Sequence, residues 1–210
     1  ILKPVSVGAS GGQILEFGRE AFRLYNSTRS PGGATKRISF GYKGQAYALL
    51  NKSLEGTLPI EHIRDALVSP GIDLQTRAVD LPLRALNLEL EFDVSRLLTT
   101  TGTYPAGHAP TIAAGDKWDQ YGTSDPILQV KAGVNVVRSK IGIRPNTLWL
   151  SYLAFIALCD HPKILSRFPL RSEVTIGIEE LKSAFKIPNI VVGDAVYADD
   201  NDAFQDCWSN

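Results

Sequence analysis

Three residue types that enzymes and metal sites use stand side by side in the stretch FIALCDHPKIL: Cys159, Asp160 and His161. A cysteine nucleophile needs a base within hydrogen-bonding reach and surroundings that lower the pKa of its thiol. Cys159 instead follows an apolar run, which favours a buried, protonated thiol. Neighbouring positions on a helix point about 100° apart, so Cys159 and His161 do not easily meet. The stretch indicates the end of a buried helix.

The rest of the chain adds no catalytic or metal-binding pattern. His62 and His108 have no further ligands at metal spacing, and the patterns of serine hydrolases, zinc proteases and phosphate loops do not occur. We therefore predict no enzymatic activity, no metal and no cofactor. A soluble α/β enzyme that uses Cys159 or His161 stays as the alternative.

The elements that would hold this stretch alternate between helix and strand. Ser124 or Asp125 can cap a helix that Pro126 opens and Gly142 closes. The strand NTLWLS, the apolar helix SYLAFIALCD, the short helix IEELKSAF and the strand NIVVGDAVY follow. The helix before His161 should stop there, because the residue before a proline avoids the helical region. This half of the chain is predicted to be an α/β or α+β domain.

A long amphipathic helix is predicted upstream. It follows a short helix in LPIEHIRDALVSPG, and one apolar face is formed by Leu83, Leu86, Leu90, Val94 and Leu97. The helix has about 18 residues if Asp80 caps it, or about 27 and roughly 40 Å if it starts at Asp73 and kinks at Pro82. A loop rich in Gly, Thr and Pro then leads to Ser124, with Trp118 as an apolar anchor.

The sequence of the N-terminal part predicts a polar, extended arm. The Gly-rich GASGG predicts a flexible segment, and SPGG is a turn signal between the runs REAFRLYNSTR and TKRISFGY. Ile38, Phe40 and Tyr42 alternate as in a strand, and GQAYALL follows a predicted turn at Lys43-Gly44. A two-stranded arm of this kind buries little of itself and needs another surface to lie on.

Charge and composition narrow the class of protein. The 22 basic and 22 acidic residues cancel, which argues against a dedicated nucleic-acid binder. Residues 19–52 nevertheless hold seven basic residues and one acid, whereas the chain after Lys186 has five aspartates and no basic residue. Two distant cysteines give no disulfide framework, no apolar run is long enough for a bilayer, and the lack of any Met suggests that the chain does not begin at its gene's start.

The ordered set Asp125-Pro126, Gly142, Pro145-Asn146-Thr147, Leu158 and His161-Pro162 resembles the major capsid proteins of tailed bacteriophages with the Hong Kong 97-like fold. YNSTRSPGGATKRISFGY resembles the extended loop of that family, and IDLQTRAVDLPLRALNLELEFDVSRLLT resembles its spine helix. DCWSN at the end is similar to the family's Asp-x-Trp-Gly turn. The lysine–asparagine pair that cross-links some members has no match here.

The resemblance implies an α+β Hong Kong 97-like capsid fold with a long spine helix, an extended β-hairpin loop and a mixed α/β axial domain. It divides the chain into an N-terminal arm (1–18), the extended loop (19–60), a peripheral domain with the spine helix (61–118) and the axial domain (119–210). It also implies that the family's chain continues beyond Asn210.

The function that the resemblance implies is that of a structural subunit of an icosahedral phage capsid. Such subunits form pentamers and hexamers around double-stranded DNA, which they enclose without sequence specificity. No membrane is expected among the partners. The other partners are a scaffolding protein or segment, the portal and decoration proteins, and assembly takes place in the host cytoplasm. An encapsulin-like compartment shell is the alternative within the same fold.

The implied assembly groups are charged. The basic ones, on the extended loop, are Arg19, Arg23, Arg29, Lys36, Arg37 and Lys43. The acidic ones, expected to line the centre of a capsomer, are Asp199, Asp200 and Asp202.

Overall fold

The computed structural model describes residues 4–68, 73–168 and 176–208. The chain divides into two compact units, an N-terminal unit (residues 1–52) and a C-terminal unit (residues 53–210). Helices and small sheets occur together, as the predicted α+β class requires.

The N-terminal unit is built on a two-stranded antiparallel ribbon. Strand β1 (Gly11–Phe17) pairs with strand β2 (Tyr42–Ala48), with Phe17 opposite Tyr42 and Gly11 opposite Ala48. Glu16 faces Lys43 across the ribbon, which is a favourable cross-strand pair of opposite charges.

Two details of the predicted arm are wrong. The paired strands are not the two runs that flank Ser30–Gly33, and Lys43-Gly44 forms no turn because both residues lie within β2. The alternation in Ile38–Tyr42 continues into β2, and its partner is the equally extended GGQILEF upstream. The turn itself is confirmed: the Gly33 N–H donates to the Ser30 carbonyl at 2.9 Å, and Gly32 has φ 78°.

The C-terminal unit opens with helix α1 (Ile60–Val68) and the long helix α2 (Leu74–Thr99). The sequence predicts that Pro70-Gly71 ends this helix, and these two residues lie outside the described ones. The Asp73 side chain caps α2 by accepting from the backbone N–H groups of Gln75 and Thr76. The longer of the two predicted helices is therefore confirmed, and Asp80 lies inside the helix instead of capping it. At 1.5 Å per residue, its 26 residues span about 39 Å.

Pro82 lies inside α2, and a neighbouring segment packs at the place where the backbone hydrogen bond is missing. Pro82 has no N–H to donate to the carbonyl of Ala78, four residues earlier. Gly56, before α1, lies so close to that carbonyl that a Cβ atom on it would collide. The absence of a side chain at Gly56 thus lets the chain pack against this part of the helix.

The predicted apolar face of α2 is only partly covered. Leu83, Leu90 and Leu97 are each more than half exposed. The residue of α2 that is fully buried is Ser95, and its hydroxyl donates to the Cys207 carbonyl at 2.7 Å. The side of α2 that packs within the unit is therefore not the side on which the leucines recur at helical spacing.

A mixed α/β layer follows. Strands β3 (Thr147–Ser151) and β4 (Asn189–Gly193) are parallel, and the flanking helices are α3 (Pro126–Ile141), α4 (Tyr152–Cys159), α5 (Pro162–Leu165) and α6 (Ile178–Phe185). The main core cluster lies between them: Ile127, Val130, Leu150, Leu158, Ile164, Ile176, Leu181, Phe185, Ile187 and Ile190. The predicted helices and the strand NTLWLS are confirmed, with Asp125 capping α3 and Gly142 ending it at φ 72°.

One predicted strand is two. NIVVGDAVY breaks after Gly193, and strand β5 (Val196–Ala198) pairs antiparallel with strand β6 (Phe204–Asp206). The Cys207 N–H donates to the Ala195 carbonyl at 2.9 Å, so the chain at the break is bonded to the segment after β6.

Trp208 joins α2 to the parallel sheet. Its ring lies 4.7 Å from that of Trp149 on β3, measured between centroids, and it packs directly over Gly193 on β4. Its Nε1–H donates to the Glu91 carboxylate of α2 at 3.0 Å. Because the residue is 5% exposed, the indole N–H needs this partner.

Replacement of Gly193 by alanine should destabilise the C-terminal unit, since a Cβ atom there would collide with the Trp208 ring. We expect a loss of about 1–3 kcal/mol of unfolding free energy, typical of overpacking. Gly133→Ala on α3, where a Cβ meets nothing within 4 Å, is the matched control. It should leave the stability unchanged or raise it by about 0.5–1 kcal/mol. Urea denaturation of both variants checks this, and equal stabilities would contradict it.

Candidate functional site

The Cys-Asp-His stretch joins two helices. Helix α4 ends at Cys159, and His161 caps α5, where its Nδ1 accepts from the Lys163 N–H at 3.2 Å. His161 is fully buried, and its Nε2 lies 3.0 Å from the Ser124 hydroxyl oxygen. The interpretation of this stretch as the end of a helix is confirmed, but α4 is not a buried helix. Its buried residue is Leu158, whereas Leu153 and Ile156 are exposed and Cys159 is half-buried.

A buried serine next to a histidine has the composition of a nucleophile and its base, but the hydrogen bonds run in the wrong direction. Because Nδ1 accepts from Lys163, a neutral His161 carries its proton on Nε2 and donates it to Ser124. Ser124 in turn donates its hydroxyl proton to the Gln120 carbonyl at 2.7 Å. Ser124 is also 1% exposed. The pair is thus arranged to hold the loop before α3 against α5.

Burial first, and nearby charges second, lower the pKa of His161 and raise the pKa of Cys159. Burial, and next the Lys163 ammonium, hold the pKa of His161 below its usual value, although Asp125 acts in the opposite direction. Partial burial and then the Asp160 carboxylate raise the pKa of the Cys159 thiol, which leaves it a poor nucleophile at neutral pH. In the part of the chain that the structure describes, no three His, Cys, Asp or Glu side chains come together as a metal site would need.

The buried histidine should make stability depend on pH. The unfolded chain binds a proton at His161 near pH 6.5, the ordinary pKa, but the folded chain does so only at lower pH. The contribution of His161 to the unfolding free energy is therefore complete above about pH 6.5. It falls as the pH drops toward the lowered pKa of the folded state.

His161→Ala should lower the unfolding free energy by about 2–4 kcal/mol, through a cavity and the lost hydrogen bonds, and should flatten the fall between pH 7.5 and 5. Replacement of the exposed His62 by alanine is the control and should change neither quantity. Urea denaturation midpoints at both pH values measure the effect. A wild-type slope retained in His161→Ala would refute this role.

The six basic residues predicted for assembly all lie on the N-terminal unit and are exposed. Arg29 donates to the Thr35 hydroxyl at 3.3 Å, and Lys36 donates to the Asn26 carbonyl at 2.7 Å, so both hold the loop tip together. Lys43 lies opposite Glu16 in the ribbon. Arg19, Arg23 and Arg37 complete the set.

The ribbon has an apolar side that the sequence did not reveal. Residues opposite one another in an antiparallel pair share a face, so Leu15 and Phe17 lie on the same side as Tyr42. The Phe40 ring lies 6.1 Å from the Phe17 ring. These four residues, Leu15, Phe17, Phe40 and Tyr42, form the apolar ribbon face, and each is more than half exposed. The alternation of Leu15 and Phe17 in GGQILEF could have predicted this face, but the two glycines that begin the segment obscured the strand pattern.

The three acidic residues predicted for assembly lie at the tip of the β5–β6 hairpin, and they differ in role. The Asp199 carboxylate accepts from the Ala203 and Asn201 N–H groups at 3.0 and 2.8 Å, and these bonds hold its pKa below the usual value. Asp199 therefore shapes the turn. Asp200 and Asp202 are exposed, and Asp202 has φ 58°. These two carry the acidic character of the tip.

Charge is segregated between the units. The sequence of the N-terminal unit holds eight basic and two acidic residues, and that of the C-terminal unit holds fourteen basic and twenty acidic ones. The net charges are therefore +6 and −6, and the zero total of the chain is their sum.

Comparison with known proteins gives a consistent picture. No protein-family model matches the chain. It is 32% identical, over 209 residues, to the major capsid protein of Burkholderia phage BcepMu; the match covers 99% of this chain and 66% of that protein. It is also similar to the crystal structure of a phage-related protein from Bordetella bronchiseptica RB50, with 39% identity and a TM-score of 0.72. That match covers 96% of this chain and 65% of the other. The chain thus spans about two thirds of the length of each relative.

Among residues 4–68, 73–168 and 176–208, no helix is both long and apolar enough to cross a bilayer.

Proposed function

We propose that this chain, a relative of a bacteriophage major capsid protein, is a structural subunit of an icosahedral phage capsid. The observation that carries the proposal is the similarity to that capsid protein over 99% of the chain. The N-terminal unit supports it independently. None of its described side chains is buried, and an isolated two-stranded ribbon is marginal in water. Such a ribbon gains stability when a neighbouring copy covers it.

The architecture that we propose is the Hong Kong 97-like fold. Helix α2, of 26 residues, takes the place of the spine helix, the ribbon with its connecting loop that of the extended loop, and the α/β layer that of the axial domain. The proposed divisions remain 1–18, 19–60, 61–118 and 119–210. Since β1 and β2 pair, the proposed arm and extended loop form one ribbon.

Contacts between copies would combine apolar area with charge. The apolar ribbon face offers aromatic rings that a neighbour can cover, and each fully buried Phe contributes about 1.5–3 kcal/mol. Arg19, Arg23 and Arg37 are exposed on the same unit and give it positive charge, and the C-terminal unit of another copy has a net negative charge. This complementarity favours association of unlike surfaces on identical subunits.

The complete assembly that we propose consists of pentamers and hexamers around double-stranded DNA in the virion. A scaffolding protein or segment, the portal and decoration proteins would be the further partners, and the shell would be assembled in the host cytoplasm. Electron microscopy and sedimentation of the full-length protein test this proposal directly. Regular closed particles are the expected result, and a monomer at high concentration would overturn it. Closed particles that hold cargo enzymes and no nucleic acid would point to a compartment shell instead.

The ribbon contact can be tested on its own with matched substitutions. Phe17→Ser together with Phe40→Ser should lower the fraction of protein in particles by about tenfold or more, because two aromatic side chains lose their apolar contacts. Ile14→Ser, on the opposite face of β1, is the control and should assemble like the wild type. Sedimentation velocity at equal concentration gives the particle fraction. Equal assembly of all three proteins would show that this face is not an interface.

A further inference from the structure

A basic groove opens on the C-terminal unit. It has a volume of about 570 Å³ and lies between α3, the end of α6 and the segments that follow α3 and α5. Five of the described lining residues are basic and none is acidic: Lys131, Arg138, Arg144, Arg167 and Lys186. This is a local exception in a unit with a net charge of −6.

The groove has a fixed framework. Lys131 and Arg138 are seven residues apart on α3, two turns along one face. Val134 lies between them, and Phe185 and Ile187, both almost fully buried, form the apolar floor. A ligand that combines negative charge with an apolar group matches such a surface.

The complementary surface is the β5–β6 hairpin. Asp200 and Asp202 are exposed at its tip, and Phe204 beside them is 78% exposed. The hairpin is held in place by the Asp199 hydrogen bonds in its turn and by the Cys207–Ala195 bond at its base. Its acidic and aromatic side chains are thus presented in a defined arrangement.

We propose that the basic groove of one copy receives the β5–β6 hairpin of a second copy. No hairpin residue is among the described lining of the groove, so the hairpin that we place there is that of another copy. Groove and hairpin are different surfaces, and a contact between them is therefore heterologous and builds rings when the rotation closes. The apolar floor favours a peptide with Phe204 over a nucleic-acid backbone, which offers only charge there. The inference rests on the proposed shell function and names the surfaces that join neighbouring subunits.

Changing the charge of each surface, alone and together, tests the contact in the full-length protein. The groove variant is Lys131→Glu with Arg138→Glu. The hairpin variant is Asp200→Lys with Asp202→Asn, because asparagine tolerates the positive φ at that position. Either variant alone should lower the particle fraction by about tenfold or more, and a protein that combines both should regain most of it. Controls are Lys140→Glu, on α3 but outside the groove lining, and Asp119→Lys in the loop before it.

Sedimentation velocity, absorbance of bound nucleic acid and thermal denaturation of each protein distinguish the outcomes. Wild-type particles with normal assembly of both single-surface variants would overturn the contact and leave the shell function standing. A groove variant that assembles normally but loses nucleic acid would assign the groove to nucleic acid and also overturn it. The contact would also be overturned if each single-surface variant lost particles, the combined protein did not regain them, and all melting temperatures stayed unchanged. Absence of particles from the wild type would refute the shell function and, with it, this contact.

Discussion

The position of the long helix depends on the burial of one indole ring. Trp208 packs on Trp149 of β3 and over Gly193 of β4, and its N–H donates to Glu91 of α2. Removal of a buried tryptophan side chain typically costs about 3–5 kcal/mol, a large part of the stability of a domain. The segment that carries Trp208 also bonds to Ser95 and Ala195. Helix, sheet and hairpin thus meet at the end of the described chain.

The N-terminal unit has no comparable centre. Its ribbon is held by backbone hydrogen bonds and by cross-strand pairs such as Glu16 with Lys43, while the rings of Phe17 and Phe40 stay exposed. Ordering each residue costs about 1–2 kcal/mol of backbone entropy, which so little burial does not repay. Stable order in this unit therefore has to come from contact with another surface. In a shell, this couples the final folding of the ribbon to assembly.

The sequence predicted best what is local. The caps at Asp125 and Gly142 and the strand NTLWLS follow from a few adjacent residues, and the structure has them. What it did not predict depends on distant pairs. Ser124 and His161 are 37 positions apart, and Glu91 and Trp208 are 117 apart. Strands β1 and β2 are separated by a long connection, residues 18–41. That connection contains an extended run of its own, which the sequence offered as the wrong partner for β2. The basic groove needs three separate segments at once, so no window of sequence contains it.

Although the net charge of the chain is zero, opposite charges are separated at two levels, between the two units and within the C-terminal unit. The units carry +6 and −6, and the C-terminal unit has its own basic groove and acidic hairpin. Identical copies without net charge do not repel one another at long range, so association depends on how local surfaces face each other. Segregated charge then favours unlike contacts, ribbon to negative unit and groove to hairpin, over the meeting of two like surfaces. Heterologous contacts of this kind are the ones that extend into rings, whereas a self-complementary contact stops at a dimer.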